Sequence, residues 1–289
     1  VTQLNIDRQQ NGELIARGVT VQTPSGQQTW LARSEVILSA GAVASPQMLQ
    51  LAGIGPAGLL GQHQIETRHN LPGVGQNLQD HLQIRTIYQV DNTVTLNQRA
   101  RTPWGLAAMG LEYFIKHTGP LTMPPSQLGA FAKSHPEQTS ANIEWHVQPL
   151  SLDRFGAPLH RYNAITPSVC NLRPSSRGHI QVKNKDPFAA PKIQLNYLST
   201  EEDLAVAVES LKFTRRIMQS NALSPFNPKE LKPGADIKTE ASMRQAAGEL
   251  GTTIFHPVGT CKMGQDAMAV VNDRLAVHGV AHLRVADAS

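Results

Sequence analysis

The chain has 289 residues, 40% of them hydrophobic and 17% charged, with a net charge of +4 and a mean hydropathy of −0.27. The length suits one large domain or two ordinary ones, and the composition excludes a long disordered chain and a membrane bundle. No stretch approaches about 18 uninterrupted apolar residues, so no transmembrane helix is coded. The basic residues are scattered and not interleaved with aromatics. An anionic cofactor or a slightly basic surface accounts for their small excess as well as nucleic acid would, and no nucleic-acid partner is expected. Cys170 and Cys261 form neither a CxxC nor a disulfide framework, which fits a reducing compartment.

The chain opens at Val1 in strand-like text, and residues 1–40 read as a β meander that turns at Thr23-Pro24-Ser25-Gly26. Residues 35–40 form a continuous apolar strand of the buried kind. Ser45 and Pro46 read as the N-cap and first position of a helix that ends at Gly53. Residues 84–90 alternate like a strand, and residues 104–117 form an amphipathic helix stopped by Gly119-Pro120. Strands follow at 128–133, 142–148, 163–171 and 179–183. Thr200-Glu201-Glu202-Asp203 opens a long helix as a capping box, and Thr239 caps another that runs to about Glu249. The chain ends on a short buried strand, Leu283-Arg284-Val285, followed by small residues where a helix usually starts. A parallel strand needs a crossover element to return to its sheet, so the chain is expected to be an internal fragment of a longer polypeptide.

Some motifs can be set aside. Gly53-Ile54-Gly55-Pro56-Ala57-Gly58 matches GxGxxG, but a helix precedes it and Pro56 interrupts it, whereas a dinucleotide fingerprint needs a strand before it and a helix opening within it. His278 and His282 are four apart with Gly279 between them and no Glu, which is not the zinc pattern. No GxSxG is present, so a serine hydrolase is not favoured. The informative stretch is Gly251-Thr252-Thr253-Ile254-Phe255-His256-Pro257-Val258-Gly259-Thr260-Cys261-Lys262-Met263-Gly264. It places an imidazole on a loop of residues with special backbone geometry, the setting a general base needs. His63, His69 and His117 lie in polar or helix-terminal text. His81, after Asn77-Leu78-Gln79-Asp80, is the competitor, and its place suggests a structural hydrogen bond.

Residues 41–56, from Gly41-Ala42 to Gly55-Pro56, resemble the second signature of the glucose–methanol–choline (GMC) oxidoreductases. Leu71-Pro72-Gly73-Val74-Gly75-Gln76-Asn77-Leu78-Gln79-Asp80-His81 is similar to the loop that follows in that family. Arg173-Pro174-Ser175-Ser176-Arg177-Gly178 with Asp186-Pro187, His256-Pro257-Val258-Gly259-Thr260 and Val285-Ala286-Asp287-Ala288-Ser289 resemble later segments in the same order. The choline-dehydrogenase-like and long-chain alcohol dehydrogenase branches look nearest.

The resemblance implies a mixed α/β fold. A partial Rossmann-like, FAD-binding domain would comprise 1–86 and 251–289. An inserted substrate domain, mainly antiparallel sheet plus helices, would comprise 87–250. It implies an FAD-dependent oxidoreductase that converts a primary alcohol to an aldehyde by hydride transfer to flavin. His256 would be the base or the hydrogen-bond partner of the forming alkoxide. Gly41 and Ala42 would lie near the cofactor, and Asp287 and Ala288 would bind its ribityl–diphosphate part, although strand-end turns also favour such residues. Gln127 stands where choline-oxidising members carry Glu, which implies a neutral alcohol rather than choline. Oxygen or a membrane quinone would be the electron acceptor. The expected location is the cytoplasm, peripheral to the inner membrane at most. The family's fingerprint would lie upstream of Val1 and its second active-site residue beyond Ser289. Residues 1–289 alone are then expected to bind FAD poorly, and a non-catalytic remnant without FAD is the alternative.

Overall fold

A computed structural model describes residues 1–154 and 156–289. The chain divides into two compact units, each with its own core. The first comprises residues 1–80, 176–197 and 255–289, and the second 81–175 and 198–254. Sequence reading divides the chain differently: it places all of 87–250 in one domain, whereas residues 176–197 pack with the first unit and 251–254 with the second.

Gln50 shows why residues 176–197 belong to the first unit. It is fully buried on the helix Gly41–Leu51. Its amide donates to the carbonyls of Val74 (3.2 Å) and Ile180 (2.9 Å), and its carbonyl accepts the Val182 N–H (2.9 Å). The Leu78 and Gly178 backbones bond each other at 2.8 and 3.0 Å. Buried polar groups need partners, and one glutamine serves three backbone groups here.

The meander of the first unit is present as antiparallel strands Gln3–Arg8, Leu14–Thr23 and Gly26–Leu31, and Val280–Ala281 joins Leu14–Thr23 in parallel. Val36–Leu38 pairs in parallel with Leu283–Val285. Val36, Leu38, Leu283 and Val285 enter a core with Leu49, Ile54 and Val270. Ile37 is 53% exposed, so this strand buries one face where its apolar run suggested two. The helix after it begins at Gly41, four residues before the expected cap, and contains Pro46 in its interior. At the GxGxxG stretch, Gly53 has φ +81° and ends the approach from that helix.

In the second unit, seven antiparallel strands form one sheet. Lys229–Lys232, Ile87–Gln89, Ala164–Asn171, Ile143–Gln148 and Leu128–Ala132 lie in that order. Leu82–Arg85 also pairs with Ala164–Asn171 and carries Gly251–Thr253. One face packs on the helices Glu201–Met218 and Glu240–Leu250 through Ile84, Ile143, Trp145, Val169, Leu211 and Ala247. The Trp145 indole N–H donates to Thr214 Oγ1 at 2.8 Å, so the largest buried side chain is also satisfied. Both long helices begin at the expected threonines. Thr239 forms a capping box with Ser242, while Thr200 accepts the Asp203 N–H and the Asp203 carboxylate turns instead to Asn171 and Ser175. The helix Pro103–Lys116 buries only Met109 among its residues.

Replacing Gln50 by Leu keeps its bulk and removes its three bonds. Leaving buried carbonyls and an N–H unpaired costs about 1–3 kcal/mol for each such group. Gln50→Leu is therefore expected to lower the stability of the first unit by at least about 2 kcal/mol, read as an earlier urea midpoint.

Candidate functional site

The site residues of the first unit converge where the parallel pair Val36–Leu38 and Leu283–Val285 ends. In open α/β sheets, the crevice outside the carboxyl ends of the strands is where ligands bind. Ala40, Ala286, Asp287 and Ala288 are exposed there, Gly41 is half-buried and Ala42 is buried. The surface is therefore made of small side chains and backbone. Gly41 has φ +82°, which lets the chain turn from strand into helix, and a β-carbon there would meet no atom within 4 Å.

Asp287 holds this corner together. One carboxylate oxygen accepts the Gly41 N–H at 2.8 Å and the Ser45 hydroxyl at 2.5 Å, and the other accepts the Ser289 N–H at 2.8 Å. Asp287 thus caps the helix from 246 residues away, a role that Ser45 would have filled had the helix begun later. Partial burial pushes the Asp287 carboxyl upward, but the donors from Ser289, Ser45 and Gly41 outweigh it and hold the group below the usual carboxylate range. Gly41 spends its N–H on Asp287 and so contributes shape at this surface.

The loop of His256 runs beside the same corner. The Gly259 N–H donates to the Ala288 carbonyl (3.0 Å), the Cys261 N–H to the Ser289 carbonyl (2.8 Å), and the Thr260 hydroxyl to the Ala42 carbonyl (2.6 Å). On the other side, Gln79 and Val258 exchange backbone bonds of 3.0 and 2.8 Å, and the Asn77 amide donates to the Gly259 carbonyl at 3.0 Å. Gly259 has φ +88°, and a β-carbon there would lie 2.8 Å from the Asn77 carbonyl oxygen, so no other residue fits this approach. The His256 N–H donates to Asp80 Oδ1 at 2.9 Å, and the Tyr197 hydroxyl donates to Asp80 Oδ2. Asp80 is 4% exposed, whereas His256 lies on the surface. A buried carboxylate therefore fixes the backbone of an accessible imidazole.

His256, Gly41, Ala42, Asp287 and Ala288 are thus gathered in one unit. Gln127 belongs to the other, where its N–H bonds the Val147 carbonyl at 3.0 Å next to Leu128–Ala132. His81 also lies in the second unit, and its Nε2 donates to the Leu172 carbonyl at 3.1 Å, a structural bond. The sequence reading missed Asp80 and Tyr197 as supports of the His256 loop. The adjacency of Asp80 to the Asn77-Leu78-Gln79 turn was the available signal, but its partners lie more than a hundred residues away. Cys261 is buried, and its thiol is pushed up to about 12 by that burial, so it is no nucleophile.

Two family models described as GMC oxidoreductase match this chain, over residues 1–83 and 174–289. The oxygen-dependent choline dehydrogenase of Pseudomonas putida (strain GB-1) is 40% identical over 258 residues, covering 89% of this chain and 46% of that protein. That of Cronobacter sakazakii (strain ATCC BAA-894) is 39% identical over the same shares. The chain therefore spans a little under half the length of these curated relatives. A formate oxidase of Aspergillus oryzae RIB40, studied for the effect of a mutation on FAD modification, superposes with a TM-score of 0.90 at 26% identity over 100% of this chain and 55% of its own. Pyridoxine 4-oxidase from Mesorbium loti gives 0.81 at 26% identity, over 100% and 52%.

The Asp287 carboxyl titrates lower in the folded chain than in the unfolded one. Its contribution is present above the unfolded value of about 3.9 and is lost as pH falls through the folded value. Asp287→Asn is expected to destabilise the first unit at pH 7 by about 1 kcal/mol, the size of a capping charge. In urea titrations repeated down to about pH 2.5, the gap between parent and variant should close on the acid side of about pH 3.9.

Proposed function

We propose that this chain, which belongs to the GMC oxidoreductase family, carries the His-bearing loop and part of the cofactor corner of an FAD-dependent enzyme that oxidises a neutral primary alcohol to an aldehyde. One observation carries the reading: an accessible His256 sits on a loop fixed by Asp80 on one side and by Ala42, Ala288 and Ser289 on the other. FAD, when bound, would supply the hydride acceptor. The small exposed residues at the carboxyl ends of the strands, with open space beside Gly41, fit a large planar cofactor brought close to backbone. Gly41, Ala42, Asp287 and Ala288 would line it, with Asp287 keeping the helix start and Ala288 in position.

His256 takes the hydroxyl proton of the alcohol, or holds the forming alkoxide by a hydrogen bond. Its loop is pinned at Asp80 and Gln79, so little ordering remains to be done when substrate arrives. Gln127 is an uncharged amide. It directly precedes Leu128–Ala132 and lines a largely apolar pocket with Leu128, Ala130, Trp145 and Val147. No carboxylate is among the described residues that line this pocket. A quaternary ammonium group favours an aromatic cage with an available carboxylate, so a neutral alcohol suits this arrangement better. Oxygen is the acceptor we infer, since the choline dehydrogenase relatives are described as oxygen-dependent.

The test uses the polypeptide that carries these residues, purified with its flavin. His256→Ala that keeps its flavin should reduce it anaerobically with a primary alcohol about 10²–10⁴-fold more slowly than the parent. A rate within about threefold of the parent removes the assignment. Neutral primary alcohols should exceed choline in kcat/KM, and Gln127→Glu should shift the ratio toward choline; a parent that prefers choline refutes the neutral-substrate reading.

A further inference from the structure

We infer that Tyr197 is a positioning residue for His256 and acts through Asp80; the inference rests on the reading of His256 as the group that handles the substrate proton. All three residues lie in the first unit. Asp80 is 4% exposed and stands between the other two: its Oδ1 accepts the His256 N–H at 2.9 Å, and its Oδ2 accepts the Tyr197 hydroxyl. The rotation of a carboxylate about its last side-chain bond is soft, so one bond to the loop does not fix it. A donor on the second oxygen does, and the phenol supplies that donor. Tyr197 is 117 residues from Asp80 and His256 is 176, so the fold and not the local sequence sets this relay.

The backbone around Tyr197 is a second observation. Asn196 has φ +53° and Leu198 has φ +55°, so the tyrosine sits between two left-handed residues, neither of them glycine. Asparagine tolerates this conformation, and its side chain secures it here: Asn196 Nδ2 donates to the Arg177 carbonyl at 3.0 Å, and its Oδ1 accepts from Gln194 Nε2 at 2.9 Å. For a bulky residue such as Leu198 the left-handed region is unfavourable, and such strain gathers where a side chain must be aimed. In this segment it brackets the side chain that reaches Asp80.

The other end of the loop is gripped separately. Arg177 Nε donates to Asn77 Oδ1 at 3.0 Å, and Asn77 Nδ2 donates to the Gly259 carbonyl at 3.0 Å. Gly259 also donates its N–H to the Ala288 carbonyl. Loss of the Tyr197 hydroxyl therefore releases the His256 end and leaves the Gly259 end held. A misplacement of a catalytic group by about 1 Å costs up to about 10²-fold in rate. The effect of Tyr197 should thus fall on the rate of the proton-coupled step rather than on substrate binding. A tyrosine that only packed would act on the stability of the whole unit and on no single amide.

Tyr197→Phe removes the hydroxyl and keeps the ring. In amide hydrogen exchange on the 289-residue chain, the His256 N–H is expected to exchange at least about tenfold faster in this variant, with the Gly259 and Val182 amides unchanged. In the polypeptide purified with its flavin, anaerobic flavin reduction by a saturating primary alcohol should slow about tenfold, while the half-saturating alcohol concentration stays within about threefold. Asp80→Asn, which keeps the shape and turns one acceptor into a donor, should reproduce both effects. A double-mutant cycle tests the route: in a His256→Ala background Tyr197→Phe should slow reduction no further, whereas independent effects would multiply. Unchanged exchange at His256, equal acceleration at Val182, an unchanged reduction rate or multiplying effects overturns the role of Tyr197. Failure of the underlying reading is distinct: His256→Ala that reduces its flavin within about threefold of the parent removes the proton role of His256 and the catalytic part of this inference together, even with faster exchange at His256 in Tyr197→Phe.

Discussion

The Asp287 carboxylate at the start of the helix Gly41–Leu51 is the interaction on which the first unit's surface depends. A helix that begins directly after a buried strand exposes N–H groups at its first turn, and nothing local caps this one: Ala40 has no side chain to offer. The acceptor comes from the strand paired beside it, two residues past Val285. The parallel pairing of Val36–Leu38 with Leu283–Val285 therefore does two things. It buries four aliphatic side chains, and it sets the register that brings a carboxylate to a helix dipole. Once that corner is closed, Ala288 and Ser289 present carbonyls to Gly259 and Cys261, and the loop of His256 acquires one of its two walls.

Both units hold buried polar groups through long-range partners, and both leave a few buried atoms without one. In the first, long-range partners satisfy buried side chains: Gln50 reaches Val74, Ile180 and Val182, and Asp80 takes Tyr197 and the His256 backbone. Each of these residues acts as a clamp between segments distant in sequence. In the second, one sheet face is apolar and covered by helices, while the other carries polar side chains with unfilled hydrogen-bonding capacity in a sheltered place.

The sequence was most legible where the physics is local. The meander, the threonine caps at 200 and 239 and the strand Ile143–Gln148 all follow from turn chemistry, capping and period-2 alternation. Ile143, Trp145 and Val147 could be read as facing the core. The alternate set, Glu144, His146 and Gln148, is polar, yet Gln148 is only 7% exposed. The helix start was misplaced because Ser45 and Pro46 are a good local cap, whereas the acceptor that wins is Asp287. The domain limits failed at 176–197 for the same reason, since Gln50 carries no local mark of the three backbone groups it serves. Recognition of the family was possible because its segments are recurrent strings; the supports of the His256 loop were not legible, because Asp80 and Tyr197 act through contacts between strings.

Strain and support meet at the His256 loop. Phe255 has φ +66°, a left-handed conformation that an aromatic residue adopts only under constraint. The constraint is on the next residues: His256 bonds Asp80 through its N–H, and Val258 exchanges two bonds with Gln79. The backbone of the imidazole is thus fixed by bonds that do not involve the imidazole ring. Asp80, buried and bonded by Tyr197, carries the positioning of this loop, and His256 lies at its surface.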